Sequence, residues 1–455
     1  MQLVAYGAQD IYLTGNPQIT FFKVVYRRHT NFSMEAIKQT FDGEFSTGGS
    51  SVDCIISRNG DLIYNMWLEV LFAAPTGNLT GSTSAAAPAS ATYFNWTNNV
   101  GHAFIKDCEI EIGGQKIDKL NSQWLDIWNE LTDKDKDLHL GLGKNSSKHS
   151  YLDTNEVTDI STGYAEIATN LERRSYIHLP FWYCKNVGLA LPLIALQYHE
   201  VKLKLSTRNL LSLLNTNATS ISNQFVFSAP DVKLWVDYIY LDTDERRRFA
   251  QVSHEYLIEQ LQVESKSLST DNSKFKMSLD FNHPVKELIW VNQKNNNVAE
   301  ETAFQLSHGA DATIPSENAK NDYFNYLSND PTASSAGKSY IEYINGQKSI
   351  EGFDKMTLKL NGHDRFEKRN ASYFRLCQPY QSGHKIPEKH IYCYSFALKP
   401  QEHQPSGTCN FSRIDDAEMQ FDAVAVSTAN TMTCYAINYN VLRIMSGMGG
   451  LAYSN

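Results

Sequence analysis

The chain has 455 residues and a formal net charge of −9, and 42% of its residues are hydrophobic, 12% aromatic and 20% charged. Such a chain is expected to fold, because disorder requires few hydrophobic residues together with a large net charge. The acidic balance argues against a dedicated nucleic-acid binder, whose binding surface is basic. At roughly 100 to 200 residues per domain, the length favours two large domains or three small ones.

We expect no membrane-spanning helix, no secretory signal and no disulfide framework. Apolar runs such as residues 187–196 are broken by Gly188 and Pro192 and fall well short of the roughly 20 residues that cross a bilayer. The opening MQLVAYGAQD lacks the basic and apolar regions of a signal peptide. The seven cysteines are widely spaced, odd in number and without a CxxC pair, which predicts reduced thiols, mostly in the core.

Strands dominate the first half of the chain. Period-two alternation, as in CEIEI at 108–112 and VKLKL at 201–205, places one face of a strand in a core and the other in water. Segments rich in aromatic and β-branched residues are separated by Asn, Gly, Ser and Pro, as strands are by turns. We predict eight strands, around Glu35, Val52, Leu62, Cys108, Lys116, Tyr176, Leu193 and Leu234.

Helical signals are few. Residues 122–131 place Trp124, Leu125, Trp128 and Leu131 on one face, behind Ser122 as the expected N-cap. Residues 242–251 form a charged candidate helix in the segment DTDERRRFAQVSH, where local ion pairing is the expected role of the three arginines. The chain is therefore predicted to be mainly all-β.

The sequence repeats itself once. Residues 57–70 are echoed by 280–291, 109–119 by 357–368, 176–182 by 391–397, and 235–241 by 436–442. The four echoes keep their order while the spacing between them varies, as expected when strands are retained and surface loops change in length. Two similar domains follow from this pattern.

We therefore predict an N-terminal arm (1–25), a first domain (26–242), a charged linker (243–255) and a second domain (256–455). About eight antiparallel strands per half suit two consecutive eight-stranded jelly-roll barrels. Paired immunoglobulin-like sandwiches are the alternative, but each would need only about 100 residues. Long insertions are expected at 73–103, 131–173 and 293–352; the first and third occupy matching places and should project from the same end of each barrel.

Each candidate motif for catalysis or metal binding lacks a residue that the motif requires. Asp133, Asp135 and Asp137 begin like a calcium loop, but Leu138 and Lys144 occupy the positions that need Gly and Glu. The GLGKN at 141–145 lacks the first Gly of a phosphate loop. The HE pairs at 199–200 and 254–255 have no second His four residues on. We expect no enzyme activity, no catalytic or metal-binding residue and no cofactor.

Two sets of surface residues are candidates for function. Lys23, Arg27 and Arg28 make the N-terminal arm basic, so it could dock on an acidic partner or a membrane surface, although a solvated basic stretch is the plainer interpretation. Seven N-x-Ser/Thr sequons occur, and the candidates for glycosylation are those in the expected projecting loops, at Asn78, Asn95 and Asn145.

Several blocks spread over nearly the whole chain carry a family resemblance. They are MQLVAYGAQDIYLTGNPQITFFKVVYRRHTNF at the start, ISRNGDLI at 56–63, EIEIGGQKIDK at 109–119, GLALPLIALQYHEVKL at 188–203, VDYIYLDTDERRRFAQ at 236–251, HEYLIEQLQ at 254–262, QPSGTCNFSRID at 404–415 and NYNVLRIMSGMGGLAY at 438–453. Together they resemble the major capsid proteins of the large icosahedral nucleocytoplasmic DNA viruses of algae and amoebae. Only the long loops depart from the family pattern.

The resemblance implies a structural protein with a double jelly roll, in which three chains form a nearly hexagonal capsomer of the outer shell. It also implies outward-pointing loops and an arm at 1–25 that faces minor capsid proteins and an internal membrane. Neighbouring capsomers would be further partners, the virion the location and the host cytoplasm the place of assembly, with no specific nucleic-acid binding. The alternatives are a minor capsid protein of the same fold or a carbohydrate-binding β-sandwich protein.

Overall fold

The computed structural model describes residues 26–73, 94–97, 99–132, 173–216, 228–268, 274–295, 323–324, 326, 351, 353–387, 389–422 and 430–453, with single positions between 8 and 24. Strands are its main regular structure and the helices are short. The strands of the first half are β1 (Phe32–Gln39), β2 (Ser51–Ile55), β3 (Leu62–Phe72), β4 (Phe94–Trp96), β5 (Ile105–Ile112), β6 (Gln115–Asn121), β7 (Arg173–His178), β8 (Leu191–Pro192), β9 (Val201–Thr207), β10 (Leu214–Thr216) and β11 (Asp231–Leu241).

The helices of the first half are α1 (Val100–Phe104), α2 (Ser122–Thr132) and α3 (Trp182–Lys185), with 3₁₀ turns at Val187–Leu189 and Leu210–Leu213. A charged helix, α4 (Thr243–Gln251), then leads into the second half. Asp242 caps it, since its carboxylate accepts the Thr243 N–H, and Asp244 and Glu245 lie in its first turn, where negative charge favours a helix. The predicted helix at 242–251 is confirmed.

The strands of the second half are β12 (His254–Leu268), β13 (Lys274–Ser278), β14 (Pro284–Lys294), β15 (Lys355–Leu360), β16 (His363–Asp364), β17 (Arg369–Asn370), β18 (Ile391–Ser395), β19 (Cys409–Asn410), β20 (Ala417–Asp422), β21 (Asn430–Met445) and β22 (Met448–Leu451). A π-helix at Tyr373–Cys377 runs into α5 (Gln378–Gln381), and a 3₁₀ turn spans Phe411–Arg413. Below, β1–β11 form the first barrel and β12–β22 the second.

The two barrels share one strand order. The first pairs its strands as β1-β11-β3-β7 in one sheet and β2-β9-β5-β6 in the other, and the second pairs them as β12-β21-β14-β18 and β13-β20-β15-β16. The eight main strands are β1, β2, β3, β5, β6, β7, β9 and β11 in the first barrel and β12, β13, β14, β15, β16, β18, β20 and β21 in the second. When these are numbered 1 to 8 along the chain, the two sheets of each barrel have the strand orders 1-8-3-6 and 2-7-4-5. All pairings among the described strands are antiparallel, and the short remaining strands add to these sheets or, in β4 and β10, pair with each other. The fold is a double jelly roll, as predicted.

The four sequence echoes fall on equivalent strands. They cover the third strands (β3 and β14), the hairpins of the fourth and fifth (β5–β6 and β15–β16), the sixth (β7 and β18) and the eighth (β11 and β21). Gly114 and Gly362, matched in the sequence, both occupy the left-handed region at φ +82° and +80°, where glycine carries no steric penalty. The internal repeat is therefore a structural duplication.

Two local predictions were wrong. Around Leu193 the structure has only the two-residue strand β8 followed by a turn, because Pro192 offers no N–H for a longer ladder. The predicted helix at 122–131 exists as α2, but its cap is Asn121, whose side-chain oxygen accepts the Trp124 N–H at 2.8 Å. Ser122 instead accepts a hydrogen bond from Arg208. The other seven predicted strands are present.

The core has two main parts. One cluster fills the second barrel, with Trp290, Phe353, Met419 and Phe421 among its members. The other fills the first barrel and continues into residues of the second, such as Tyr435. All seven cysteines are free, and all but Cys377 and Cys409 are buried, in agreement with the expected reduced thiols.

Candidate functional site: the contact between the barrels

One sheet of the second barrel is buried on both faces. In β14, Leu288 and Trp290 belong to the core of the second barrel, whereas Ile289 and Val291 belong to the cluster that fills the first. Because successive side chains of a strand point to opposite faces, the outer face of the β12-β21-β14-β18 sheet packs against the first barrel. We call this packing the barrel contact.

Helix α2 is the main element of the first barrel in the barrel contact. The rings of Trp124 and Tyr435 lie 5.2 Å apart, and the Tyr435 hydroxyl donates a 2.7 Å hydrogen bond to the side-chain oxygen of Gln123. Burial raises the pKa of Tyr435 well above its usual range, so this hydroxyl keeps its proton. The packed ring and the hydrogen-bonded hydroxyl of Tyr435 together hold α2 against the sheet.

The edge of β6 lies beside β12. The Gln260 side chain donates to the Ile117 carbonyl, and the Leu261 N–H donates to the Asp118 carboxylate at 3.1 Å. Burial raises the pKa of Asp118 to about 6, although hydrogen bonds from the backbone N–H groups of Leu261 and Lys119 and the charges of nearby lysines act in the opposite direction. The carboxylate therefore supplies the acceptor for an edge N–H that would otherwise be buried without a partner.

Lysines from both barrels meet at Glu259. Lys185 of α3 lies 2.9 Å from its carboxylate, and Lys286 of β14 donates to the other oxygen and to the Pro400 carbonyl. Burial alone would raise the pKa of Glu259, but the two ammonium groups hold it at about 2. Separating the barrels would take Lys185 away from Glu259 and leave a buried charge uncompensated. The ion pairs at Glu259 therefore stabilise the barrel contact.

Asp126 of α2 forms a second buried charge cluster. Its carboxylate accepts hydrogen bonds from Lys389 at 2.7 Å, from the Tyr326 hydroxyl at 3.0 Å and from the Asn99 amide at 2.9 Å. Tyr326 belongs to the long insertion after β14, and Lys389 precedes β18. The insertion is thus tied to the first barrel at the end where the insertion after β3 also begins. Both insertions follow the third strand of their barrel, as predicted.

The β21–β22 hairpin closes the barrel contact at the opposite end. The Tyr198 N–H donates to the Gly447 carbonyl at 3.0 Å, and His199 bonds the backbone of Gly449. A Cβ atom at Gly449 would lie 2.7 Å from a buried methyl group of Leu196. The glycines of MSGMGGL, predicted only as a turn, also permit this close approach.

Of the predicted site residues, the structure describes the side chains of Arg27 and Arg28, and neither takes part in the contacts described above. Arg27 and Arg28 are exposed in the segment without regular secondary structure before β1, and Lys23 lies outside the described residues. Asn95 lies in β4, opposite Asn215 of β10, whereas Asn78 and Asn145 are outside the described residues. Among the described side chains, Arg27 and Arg28 therefore belong to none of the clusters above.

The rejected motifs have structural roles where they are described. His199 holds the β21–β22 hairpin, His254 stacks on Phe249 and Tyr256, and Glu255 pairs with Arg443 at 2.9 Å. The segments 133–137 and 141–145 lie outside the described residues. Within the described part of the chain, no group of three or more His, Cys, Asp or Glu side chains is arranged to hold a metal ion. No helix there is long and apolar enough to cross a membrane.

Sequence reasoning missed the barrel contact. A signal was present in β21, where residues 432–440 are buried without interruption and the sequence MTCYAINYN lacks strict alternation. Strands buried on both faces give such continuous runs. The polar residues of the contact carry no comparable signal, because their partners come from distant parts of the chain.

Comparisons with known proteins cover both barrels. Residues 20–242 match the family described as "Major capsid protein N-terminus", and residues 245–450 match "Large eukaryotic DNA virus major capsid protein". The major capsid protein of Pyramimonas orientalis virus is 44% identical over 100% of this chain and 99% of its own length. That of Paramecium bursaria Chlorella virus 1 is 40% identical over the same shares.

Solved structures agree. A quasi-atomic model of the PBCV-1 virus capsid matches with a TM-score of 0.71 at 35% identity, covering 96% of this chain and 100% of that one. The Faustovirus major capsid protein, only 13% identical, shares the fold with a TM-score of 0.67 over 97% of this chain and 94% of that one. The chain therefore belongs to the major capsid proteins of the large eukaryotic DNA viruses, structural and non-enzymatic proteins built as a double jelly roll.

Proposed function

We propose that three copies of the chain form a pseudo-hexagonal capsomer, and that these capsomers tile the outer icosahedral shell of a large DNA virus. The observation that carries this proposal is the duplication itself, since two barrels of identical strand order are fixed side by side by the barrel contact. Three such pairs present six similar sides from one gene product. A closed cyclic arrangement of identical chains is the usual form of a soluble homo-oligomer.

Light scattering of the purified protein at micromolar concentration tests the capsomer. A mass near three chains is expected, and negative-stain images should show a roughly hexagonal outline with three raised regions. A stable species with the mass of one chain would contradict the proposal.

We further propose the domain organisation 1–25, 26–242, 243–255 and 256–455, with the arm at the inner side of the shell. Lys23, Arg27 and Arg28 would there contact minor capsid proteins and an internal membrane. Exposure of Arg27 and Arg28 supports this role, because basic side chains near a surface attract acidic groups. Arg27→Glu with Arg28→Glu should leave trimers intact and weaken flotation with anionic vesicles. Equal flotation would contradict the membrane contact.

We also propose assembly in the host cytoplasm and glycosylation at Asn78, Asn95 and Asn145. The position of these sequons within long insertions supports the second point. Mass spectrometry of proteolytic peptides of the protein from purified particles tests it, with glycopeptides expected at these three positions. Unmodified peptides at all three would contradict it.

A further inference from the structure

The Asp126 carboxylate brings a lysine and an asparagine together at the barrel contact. It accepts hydrogen bonds from the Lys389 ammonium at 2.7 and 2.8 Å and from the Asn99 side-chain amide at 2.9 Å. The lysine and amide nitrogens bond the same oxygen, Oδ1, so the two side chains are neighbours around one carboxylate. Asn99 precedes α1 in the first barrel, and Lys389 precedes β18 in the second.

The three side chains are enclosed. Asn99 and Asp126 are fully buried, and the Lys389 side chain is only 17% exposed. The Lys389 ammonium lies 5.3 Å from the centre of the Phe324 ring and 5.7 Å from that of Tyr326, and both rings are buried. An amine, an amide and a carboxylate thus meet beside aromatic side chains, where water has little access.

The Asn99 amide is held in place, but its carbonyl oxygen has no partner. One N–H of the amide donates to Asp126 and the other lies 2.9 Å from His102 Nδ1. The oxygen is buried and accepts no hydrogen bond from the described residues. The backbone of Asn99 is in the left-handed region at φ +56°, which is uncommon for a residue other than glycine. A buried unpaired oxygen costs free energy, and an ion pair between Lys389 and Asp126 does not need it.

We propose that Lys389 and Asn99 join in an isopeptide bond, with Asp126 as the catalytic residue. The contacts above are those of the side chains before the reaction. An amine nucleophile, an amide carbon and a carboxylate that touches both are held together by the fold, which is what an intramolecular reaction of this kind requires. The product is a covalent cross-link between the two barrels.

The reaction needs only these three groups. One proton passes from the Lys389 ammonium to Asp126, and burial favours the resulting neutral amine and acid over the ion pair. The amine electron pair attacks Cγ of Asn99, and the Nζ–Cγ bond forms. The Cγ–Nδ2 bond then breaks, and Nδ2 leaves as ammonia with that electron pair and with a proton relayed from Nζ by the carboxyl group. Nζ keeps one hydrogen, ammonia carries three and Asp126 holds one, so atoms and charge balance without an oxidant or reductant.

Mass spectrometry of the denatured full-length chain measures the bond. The wild type should be lighter than its sequence mass by about 17 Da, the mass of the ammonia that leaves. After proteolysis, the segments that contain Asn99 and Lys389 should be recovered as one branched peptide. A wild-type chain with its full sequence mass would overturn the proposal.

Three substitutions test the individual roles. Lys389→Arg keeps a positive charge beside Asp126 but removes the nucleophile, because a guanidinium is not deprotonated in proteins. Asn99→Ala removes the carbon that is attacked, and Asp126→Asn removes the group that takes the proton. Each folded variant should have its full sequence mass. Lys385→Arg, four residues before Lys389 in the same segment, is the matched control and should keep the deficit.

Near-UV circular dichroism shows whether each variant is folded. If Asp126→Asn does not fold, Asp126→Glu replaces it. Its longer side chain shifts the carboxylate from the two reacting nitrogens, so ammonia should be lost more slowly after refolding than in the wild type. Loss at the wild-type rate would show that Asp126 does not act on the reacting groups.

The position of the deficit separates the cross-link from other losses of ammonia. An asparagine that cyclises to a succinimide also releases ammonia, but it links no second peptide. A deficit confined to the Asn99 peptide, or one that persists in Lys389→Arg, would therefore overturn the isopeptide bond.

Discussion

Gly449 lies in β22, where the second barrel approaches Leu196 of the first. Gly449→Ala should destabilise the protein by about 1 to 3 kcal/mol, because a new Cβ would lie 2.7 Å from a fully buried side chain and overpacking has roughly that cost. The neighbouring Gly450→Ala is the matched control, since its Cβ would meet only the end of the flexible Gln115 side chain. Urea unfolding of the two variants measures the difference. Equal free energies of unfolding would contradict the close approach.

Asp118 gives the barrel contact a pH dependence. Burial raises its pKa from the usual 3.8 to about 6 in the folded protein, so between these two pH values the folded state holds the proton more tightly than the unfolded chain does. The contribution of this group to stability therefore falls as pH rises from about 4 to 6. Above pH 6 this loss of stability is on the order of 3 kcal/mol, because each tenfold difference in proton affinity between the folded and unfolded states corresponds to about 1.4 kcal/mol.

Asp118→Asn should remove that dependence, because the amide oxygen still accepts the Leu261 N–H but carries no charge. At pH 7.5 the variant is expected to be more stable than the wild type, and near pH 4 the difference should vanish. Urea unfolding at both pH values measures it. A variant that is less stable at pH 7.5 would show that the carboxylate charge is favourable there.

Individual residues of the barrel contact could not be predicted from the sequence. Asp118 and Glu259 look like ordinary polar positions of alternating strands, and the pattern says only that one face of each strand is polar. Whether that face meets water or another barrel depends on contacts more than 140 residues apart, such as that between Gln260 and Ile117. The turn glycines were predictable because local backbone geometry determines them.

At the scale of elements, α2 depends on its cap. Asn121→Ala should cost about 1 kcal/mol of stability, the usual loss when a capping side chain is removed, since the Trp124 N–H loses its 2.8 Å acceptor. Asn121→Asp retains an acceptor at the cap and should stay close to the wild type. Thermal unfolding of both variants measures the effect. If Ser122→Ala rather than Asn121→Ala gives the larger loss, the cap has been assigned to the wrong residue.

Most strands were predictable because alternation is a local property. β5 reads IKDCEIEI, and its burial alternates from Asp107 to Ile112 as the sequence does. The double burial of the β12-β21-β14-β18 sheet was not predicted, since alternation rules assume that one face meets water. The jelly-roll fold could be inferred only from the number of strands and from the internal repeat. The sequence does not show which strands pair, because paired strands are often far apart along the chain.

At the scale of the whole molecule, the two barrels should unfold together. The core of the first barrel continues into Ile289, Val291 and Tyr435 of the second, and Glu259 is shared by lysines of both barrels. Calorimetry should therefore give one transition in which both barrels unfold, rather than a separate transition for each barrel. Two resolved transitions would contradict the shared core.

The placement of the long insertions has a practical consequence. Those after β3 and β14 begin at the same end of the two barrels, whereas the β21–β22 hairpin and the linker helix α4 lie at the other. Sequence length can therefore change at that end without altering the contacts of the β21–β22 hairpin, which join the barrels at the other end. A foreign epitope inserted into either segment would be displayed in one direction, which makes the protein a scaffold for a regular antigen array.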